Sequence, residues 1–430
     1  MLDAVALTGI GVVAPTGLGL DALWQRWLSG RDALSPFAQP QLRSRRIARY
    51  GQVPNEARVA AREAVPYKLR RFGTEPAFWA VHAVGEAIGD AAMDWDGVPE
   101  ERRGLFSGQG DYTSPNFGSL QRAVSQAKGR DGALDLVLLA QEALNRRGAD
   151  PSMSIKGLAN NALALASLTW RCRGVGVAFV QNEAAGIAAL RQALFELQQG
   201  RCDVAVVLAT GSYAEALTLA ELLRRGLLGE QAVAALQSFD EAASGAVLGE
   251  GAVALLLERR QDAVARGARI HGLVHAPGSY AGVRSQIELG LGEHEDQGYQ
   301  GAFNEAVGAA EQPPWYGPAT AVLADGRGVP ALDAHEAQSL ARVFDTEVAI
   351  SCPRPVTGVI PAAGALLDLA LASRVLADGL LPAVPGLIRP IEPQLGWARG
   401  EAALRRFEQA WCLQQGFSGF YSAVALTRAA

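Results

Sequence analysis

Runs of buried-strand composition alternate with runs of helical spacing along most of this chain, and few architectures admit that alternation. "AVALTGIGVVA" opens as a strand, "PAFWAVHAVGEAIGDAAM" spaces its apolar residues as a helix, and "RRGLFSGQG" reads as a short strand and turn. "CDVAVVLATGS" is a continuous buried strand, and "GAVLGEGAVALLLE" reads as a β pair around glycines. Later, "TAVLADG", "DAHEAQSLARVFD", "EVAISC" and "ALLDLALASRVLADG" give strand, helix, strand and helix. The pattern predicts an α/β protein whose sheets are mixed but mainly parallel, with helices on both faces. Two such passes, divided near residue 258, predict a duplicated arrangement with halves at 1–258 and 259–430, although no direct sequence repeat is visible. Segments 37–75 and 110–155 are polar and contain Arg and Gly, so they read as long excursions over the surface or at an interface.

The bulk numbers exclude several classes. With 430 residues, 49% hydrophobic and 19% charged, the chain can bury a large core. A net charge of −5 gives no reason to expect a nucleic-acid partner. No run of eighteen uncharged apolar residues marks a membrane span. "MLDAVALTGI" starts as a strand without a charged leader, so a cytoplasmic location is expected. Cys172, Cys202, Cys352 and Cys412 lack CxxC spacing, and the five histidines show no metal-ligand spacing. "GLGEHEDQGYQGAF" and "SGQGDYTS" lack the Lys of a nucleotide cradle. Neither metal nor cofactor is expected.

The stretch where chemistry would be mounted is "GVGVAFVQNEAAGIAALRQALFELQQG": a strand, a sharp turn and a helix. A helix N-terminus concentrates partial positive charge, which suits a nucleophile or an anion. The turn offers Gln181, Asn182 and Glu183, and no Cys or Ser.

Several segments resemble the β-ketoacyl synthase family of the thiolase superfamily, from about residue 4 to about 428. "VALTGIGVVAPTGLGLDALWQRWLSGRDAL" is similar to its opening, and "SFDEAASGAVLGEGAVALLLE" to its Phe-Asp…Gly-Glu-Gly-Ala segment. "GFSGFYSAVAL" takes the place of its glycine-rich closing loop. The resemblance implies a thiolase-like duplicated α-β-α layered fold. Condensing members need a Cys at the elbow and two His loops. Position by position, Glu183 falls where the Cys should be, Asp325 on the first His and Val359 on the second, with Arg354 in place of the loop Lys. Tyr421 and Ser422 replace the usual His-Asn pair.

This pattern of loss resembles the non-condensing chain-length factors, or ketosynthase β subunits, of type II polyketide synthases. "ADGRGVPALDAHEA" reproduces their corresponding loop, while "VQNEAAG" has Glu183 where they carry Gln. The resemblance implies a heterodimer with an active ketosynthase, acting on a polyketide or aryl polyene chain carried by an acyl carrier protein. It also implies that "VGVAFVQ" lies at or next to the subunit interface. "GQGDYTSPNFGSLQRAVSQA" should border the partner's acyl channel, with Tyr112, Asn116, Phe117 and Leu120 as candidate floor residues.

Other readings stay open on the residues alone. Glu183 could be a helix-capping carboxylate, a base in a malonyl-carrier decarboxylase that makes primers, or half of a new acid pair with Asp325. An ionised Glu only accepts hydrogen bonds, unlike a Gln amide, and would repel a malonate carboxylate. The carboxylates are expected to be held by backbone amides or by Arg354. Cys172 and Cys412 read as buried small hydrophobes, Cys352 as a neighbour of the old pocket, and His335 as a surface residue.

Overall fold

The computed structural model describes residues 5–37, 47–110, 117–129, 131–145, 151–229, 236–281, 298–308, 317–417 and 419–429. Ten strands form the path of one twelve-stranded sheet. Five lie in the first half: β1 (Val5–Ala14), β2 (Arg103–Gln109), β3 (Gly176–Val180), β4 (Val204–Ser212) and β5 (Glu250–Arg259). Five lie in the second: β6 (Gly272–Val274), β7 (Thr320–Leu323), β8 (Ala349–Ser351), β9 (Gln409–Gln415) and β10 (Phe420–Thr427).

The order across the sheet is β8-β7-β9-β10-β6-β1-β5-β4-β2-β3. Each half therefore places its own strands in the order third, second, fourth, fifth, first. The strand senses repeat as well. β3 and β8 run parallel to β2 and β7, which run parallel to β4 and β9. The fifth strand of each half is antiparallel to its neighbours on both sides. The halves meet edge to edge where β1 pairs antiparallel with β6, from Val5 opposite Val274 to Leu7 opposite Gly272.

These strands read as unbroken apolar runs because helices cover both faces. The helix α1 (Glu75–Asp90) buries Phe78, Trp79, Val81, Val84 and Ile88. The helix α2 (Ala185–Gln198) and α4 (Gly364–Asp378) join one large cluster that spans both halves, while α3 (Pro330–Val343) helps to close a second-half cluster. Among the described residues, no helix is long and apolar enough to cross a membrane.

Two local expectations need correction. "GAVLGEGAVALLLE" contributes the single strand β5 and not a pair, because a neighbouring strand is already present on each side of it. The segment 47–75 is not a surface excursion. Tyr50, Val53, Ala57, Ala61 and Val65 are buried, and the helix Asn55–Glu63 uses its alanines to pack closely on α1.

Candidate functional site

β3 ends at Val180, and the chain turns through Asn182, which takes a positive φ of 47°. Glu183 sits in a single 3₁₀ turn that leads into α2. The expected cap is absent, because α2 begins without a side-chain capping bond. The Glu183 carboxylate turns instead into the protein and is buried. Its Oε1 accepts a 2.6 Å hydrogen bond from the Tyr213 hydroxyl and one of 3.2 Å from Arg327 Nη1. A longer contact of 3.5 Å comes from the Phe417 amide.

Asp325 follows β7 and is also buried. Its Oδ2 accepts from Arg327 Nε at 2.6 Å and from the Gln415 amide at 3.0 Å. Its Oδ1 accepts from Arg354 Nε at 3.0 Å. Arg354 then grips Asp368 on α4 with both terminal nitrogens, at 2.8 and 2.6 Å. The result is a continuous buried chain running Tyr213, Glu183, Arg327, Asp325, Arg354, Asp368. No charged side chain in it is more than 5% exposed, so the charges are screened by one another and not by water. The Arg327 guanidinium also lies 4.3 Å over the Phe417 ring, while its Nη2 has no partner.

The backbone that presents Asp325 and Arg327 is shaped by two carboxylates of α3. Asp333 accepts from the amides of Phe239, Arg327 and Gly328. Glu336 accepts from the amides of Asp325 and Gly326 and from the Tyr299 hydroxyl. Their three-residue spacing sets both on one face of the helix. Gly326 and Gly328 have φ of 45° and 72°, a left-handed turn that side chains rarely adopt, which accounts for the Gly-Arg-Gly sequence.

The electrostatics follow from burial. Tyr213 is pushed well above the usual tyrosine range by burial and then by Glu183. Burial alone would depress Arg327, but Asp325 and Glu183 more than offset it and hold the guanidinium charged. Arg354 is raised in the same way by Asp368 and Asp325. Burial lifts Asp368 to about 6 against the pull of Arg354. Asp333 is lifted to about 7 by burial, and Glu336 to about 8 by burial and the charge of Asp325.

Val359 is buried too, in an apolar cluster with Tyr213, Phe417, Leu332 and Leu248. Its backbone bonds to Val247 and Gly249. An aliphatic side chain thus fills the place expected for the second imidazole, with no proton to move.

No activated thiol lies nearby. All four cysteines are buried. Cys352 does approach the site, its Sγ 3.4 Å from the Asp325 carbonyl, but burial pushes its thiol well up. Burial lifts Cys172 and Cys202 to about 12. His335 is not a surface residue. It is half-buried with its ring 5.8 Å from that of Tyr421, and burial lowers its pKa, which keeps it neutral. His271 pairs with Asp90 and His275 with Thr427, while His294 lies outside the described residues.

The structure thus brings Glu183, Asp325 and Arg354 together and sets Val359 beside them. Tyr112 and Asn116 lie outside the described residues, while Phe117 and Leu120 fall in the helix Phe117–Gln126. Arg327, Tyr213 and Asp368 were not anticipated from the sequence. Arg327 had a signal: a cation two residues from Asp325, set between two glycines. Among the described residues, β3 is an edge strand paired only with β2, and, elsewhere in the chain, Leu134, Leu136, Val137, Leu144, Ile155 and Leu158 stand exposed.

Comparison with known proteins adds three findings. Residues 2–263 match the family described as β-ketoacyl synthase, N-terminal domain, and residues 293–387 its C-terminal domain. The chain is 28% identical over 99% of its length, and 98% of the other's, to the actinorhodin polyketide β-ketoacyl synthase 2 of Streptomyces coelicolor. It is 27% identical, with the same coverages, to the tetracenomycin polyketide synthase ketoacyl synthase beta subunit of Streptomyces glaucescens. Among solved structures, the ishigamide ketosynthase/chain length factor superposes with a TM-score of 0.82 at 20% identity, with full coverage of both chains. A type II ketosynthase in complex with its acyl-carrier protein and a hexaketide superposes at 0.80 and 18%, again with full coverage.

Proposed function

This chain belongs to the β-ketoacyl synthase family, and from that membership we propose that it is a non-condensing subunit of the chain-length-factor type. It pairs with a Cys-His-His ketosynthase and helps to set the length of a polyketide or aryl polyene chain on an acyl carrier protein. The observation that carries this reading is the state of the old catalytic positions. Glu183, Asp325 and Val359 supply neither a nucleophile nor an imidazole, and the first two are spent on a closed ion chain with Arg327 and Arg354. A condensing enzyme needs an open pocket and an activated thiolate.

Relatives whose names assign them to polyketide synthases support the product class, and the structures solved with a partner subunit or a carrier protein support those partners. On this reading β3 and the exposed leucines and valines between residues 134 and 158 face the ketosynthase. Phe117 and Leu120, with Tyr112 and Asn116, border its channel. The division at residue 258 belongs to the same proposal, supported by the repeated strand order. The decarboxylase alternative draws no support from the site. A base must reach its proton, and the Glu183 carboxylate is 4% exposed and bonded to Tyr213 and Arg327.

The test is co-expression with a cognate ketosynthase, followed by size-exclusion chromatography and an elongation assay. The two chains should co-elute, and products should appear only with both. A chain that ignores the ketosynthase, or one that takes up an acyl group and elongates it alone, would overturn the reading.

A further inference from the structure

At the far end of α4 from Asp368, a cavity of about 170 Å³ opens close to the seam between the two halves. Taking about 30 Å³ per water, it has room for roughly five. Its walls come from three places that the topology gathers: residues 269–271 just before β6, the last turns of α4, and the tail after β10. The lining holds Arg269, Arg374, Arg428 and His271 over an apolar floor that includes Ile270 and Leu376, and no lining residue among those described is acidic.

The basic groups here are not all consumed by their neighbours. Arg269 is exposed and makes no hydrogen bond, although it lies near enough to lower the pKa of Asp90. Arg428 bonds the carbonyls of Leu376 and Phe407 through Nη2 and Nε, which leaves Nη1. Arg374 pairs with Asp21 and Asp378, and its Nε is buried without a partner. The carboxylates around the rim pair with these same cations: Asp90 with His271, Asp21 and Asp378 with Arg374, and Glu408 with Arg406 at 2.6 Å and with Arg428 at 4.0 Å, so among the described residues Arg269 is the lining arginine without an ion pair of its own.

We propose that this cavity binds a phosphate-type oxyanion, either free or as the head of a small monoester. Guanidinium forks approaching from separate segments match several oxygens of a tetrahedral dianion better than the two of one carboxylate. The apolar floor leaves a place for a short neutral arm. Such an anion would tie α4 and the tail to the segment that enters β6.

Titration calorimetry at fixed ionic strength tests this, with inorganic phosphate and glycerol 3-phosphate as probes and acetate as competitor. One saturable phosphate per chain is expected, weakened at least tenfold by Arg269→Glu and unchanged by Arg224→Ala, a distant exposed arginine paired with Glu221. Arg269→Ala should weaken it in the same direction, and since Arg269 makes no hydrogen bond both variants should keep the parent circular dichroism spectrum. Tighter binding of the monoester identifies an ester as the source, and equal binding identifies the free ion. Absence of saturable binding, equal affinity in Arg269→Glu, or equal competition by acetate would overturn the proposal.

Discussion

Arg327 faces Glu183 and Asp325 at once, so each carboxylate contributes to stability mainly by keeping that buried cation from standing partly unpaired. Removing one member of a buried ion pair costs about 3–5 kcal/mol, far more than the pair itself adds over well-packed apolar residues. Asp325→Ala should therefore lower the free energy of unfolding in urea by about that amount, because two guanidiniums lose their shared acceptor. Glu183→Ala should cost less, since Arg327 keeps Asp325. Glu183→Gln should cost least, because an amide oxygen still accepts from Tyr213 and Arg327. A double-mutant cycle of the two alanine variants should show coupling on the order of 0.5–3 kcal/mol through their common partner, and simple additivity would contradict a connected chain. Glu183→Cys should remain unacylated by acyl carrier protein, as read by intact-protein mass spectrometry, since Asp325 and Val359 around it supply no imidazole to activate a thiol.

Among the elements, the closing loop after β9 is the one most directly held by the altered positions. Asp325 takes the Gln415 amide, Glu183 touches the Phe417 amide, Arg327 covers the Phe417 ring, and Arg225 bonds the Phe417 carbonyl. Amide exchange at Gln415 should therefore speed up at least tenfold in Asp325→Ala, measured by hydrogen–deuterium exchange, while the strands β4 and β5 stay protected. The carboxylates of α3 set the pH response. Asp333 and Glu336 are raised to about 7 and about 8, and Asp368 on α4 to about 6. Between about pH 4 and 8 the unfolded chain binds fewer protons at these groups than the folded one, so their contribution to stability falls as pH rises. The melting temperature should drop from pH 5.5 to 8, and Glu336→Gln should flatten the upper part of that slope. Much of this was legible beforehand. The motif "ADGRGVPALDAHEA" pointed to a loop entering a helix, and the resemblance to the β-ketoacyl synthase family singled out Glu183, Asp325 and Val359. The wiring was not legible, because a local pattern does not tell that Tyr213, Phe417 and Asp368 converge from strands and helices far apart in sequence. The same limit hid the burial of Tyr50, Val53 and Val65, whose polar neighbours disguise a packed face.

For the molecule as a whole, the sheet has one edge at β3 that carries no further strand among the described residues, and apolar side chains between residues 134 and 158 stand exposed. Exposed edges and contiguous apolar surface invite a partner. Leu136 and Val137, at 70% and 68% exposure, contribute little to the core. Leu136→Asp with Val137→Asp should leave the melting temperature within about 1 °C while abolishing co-elution with the ketosynthase, and retained co-elution would move the interface elsewhere. The ion chain also limits which substitutions the site tolerates. A folded domain stands only about 5–15 kcal/mol above its unfolded state. Placing cysteine at position 183 or histidine at 325 one change at a time would leave Arg327 with one carboxylate instead of two, and each such variant would forfeit part of that margin while gaining no chemistry. Chemistry at this turn would therefore require several coordinated substitutions, each intermediate less stable than the chain as it stands.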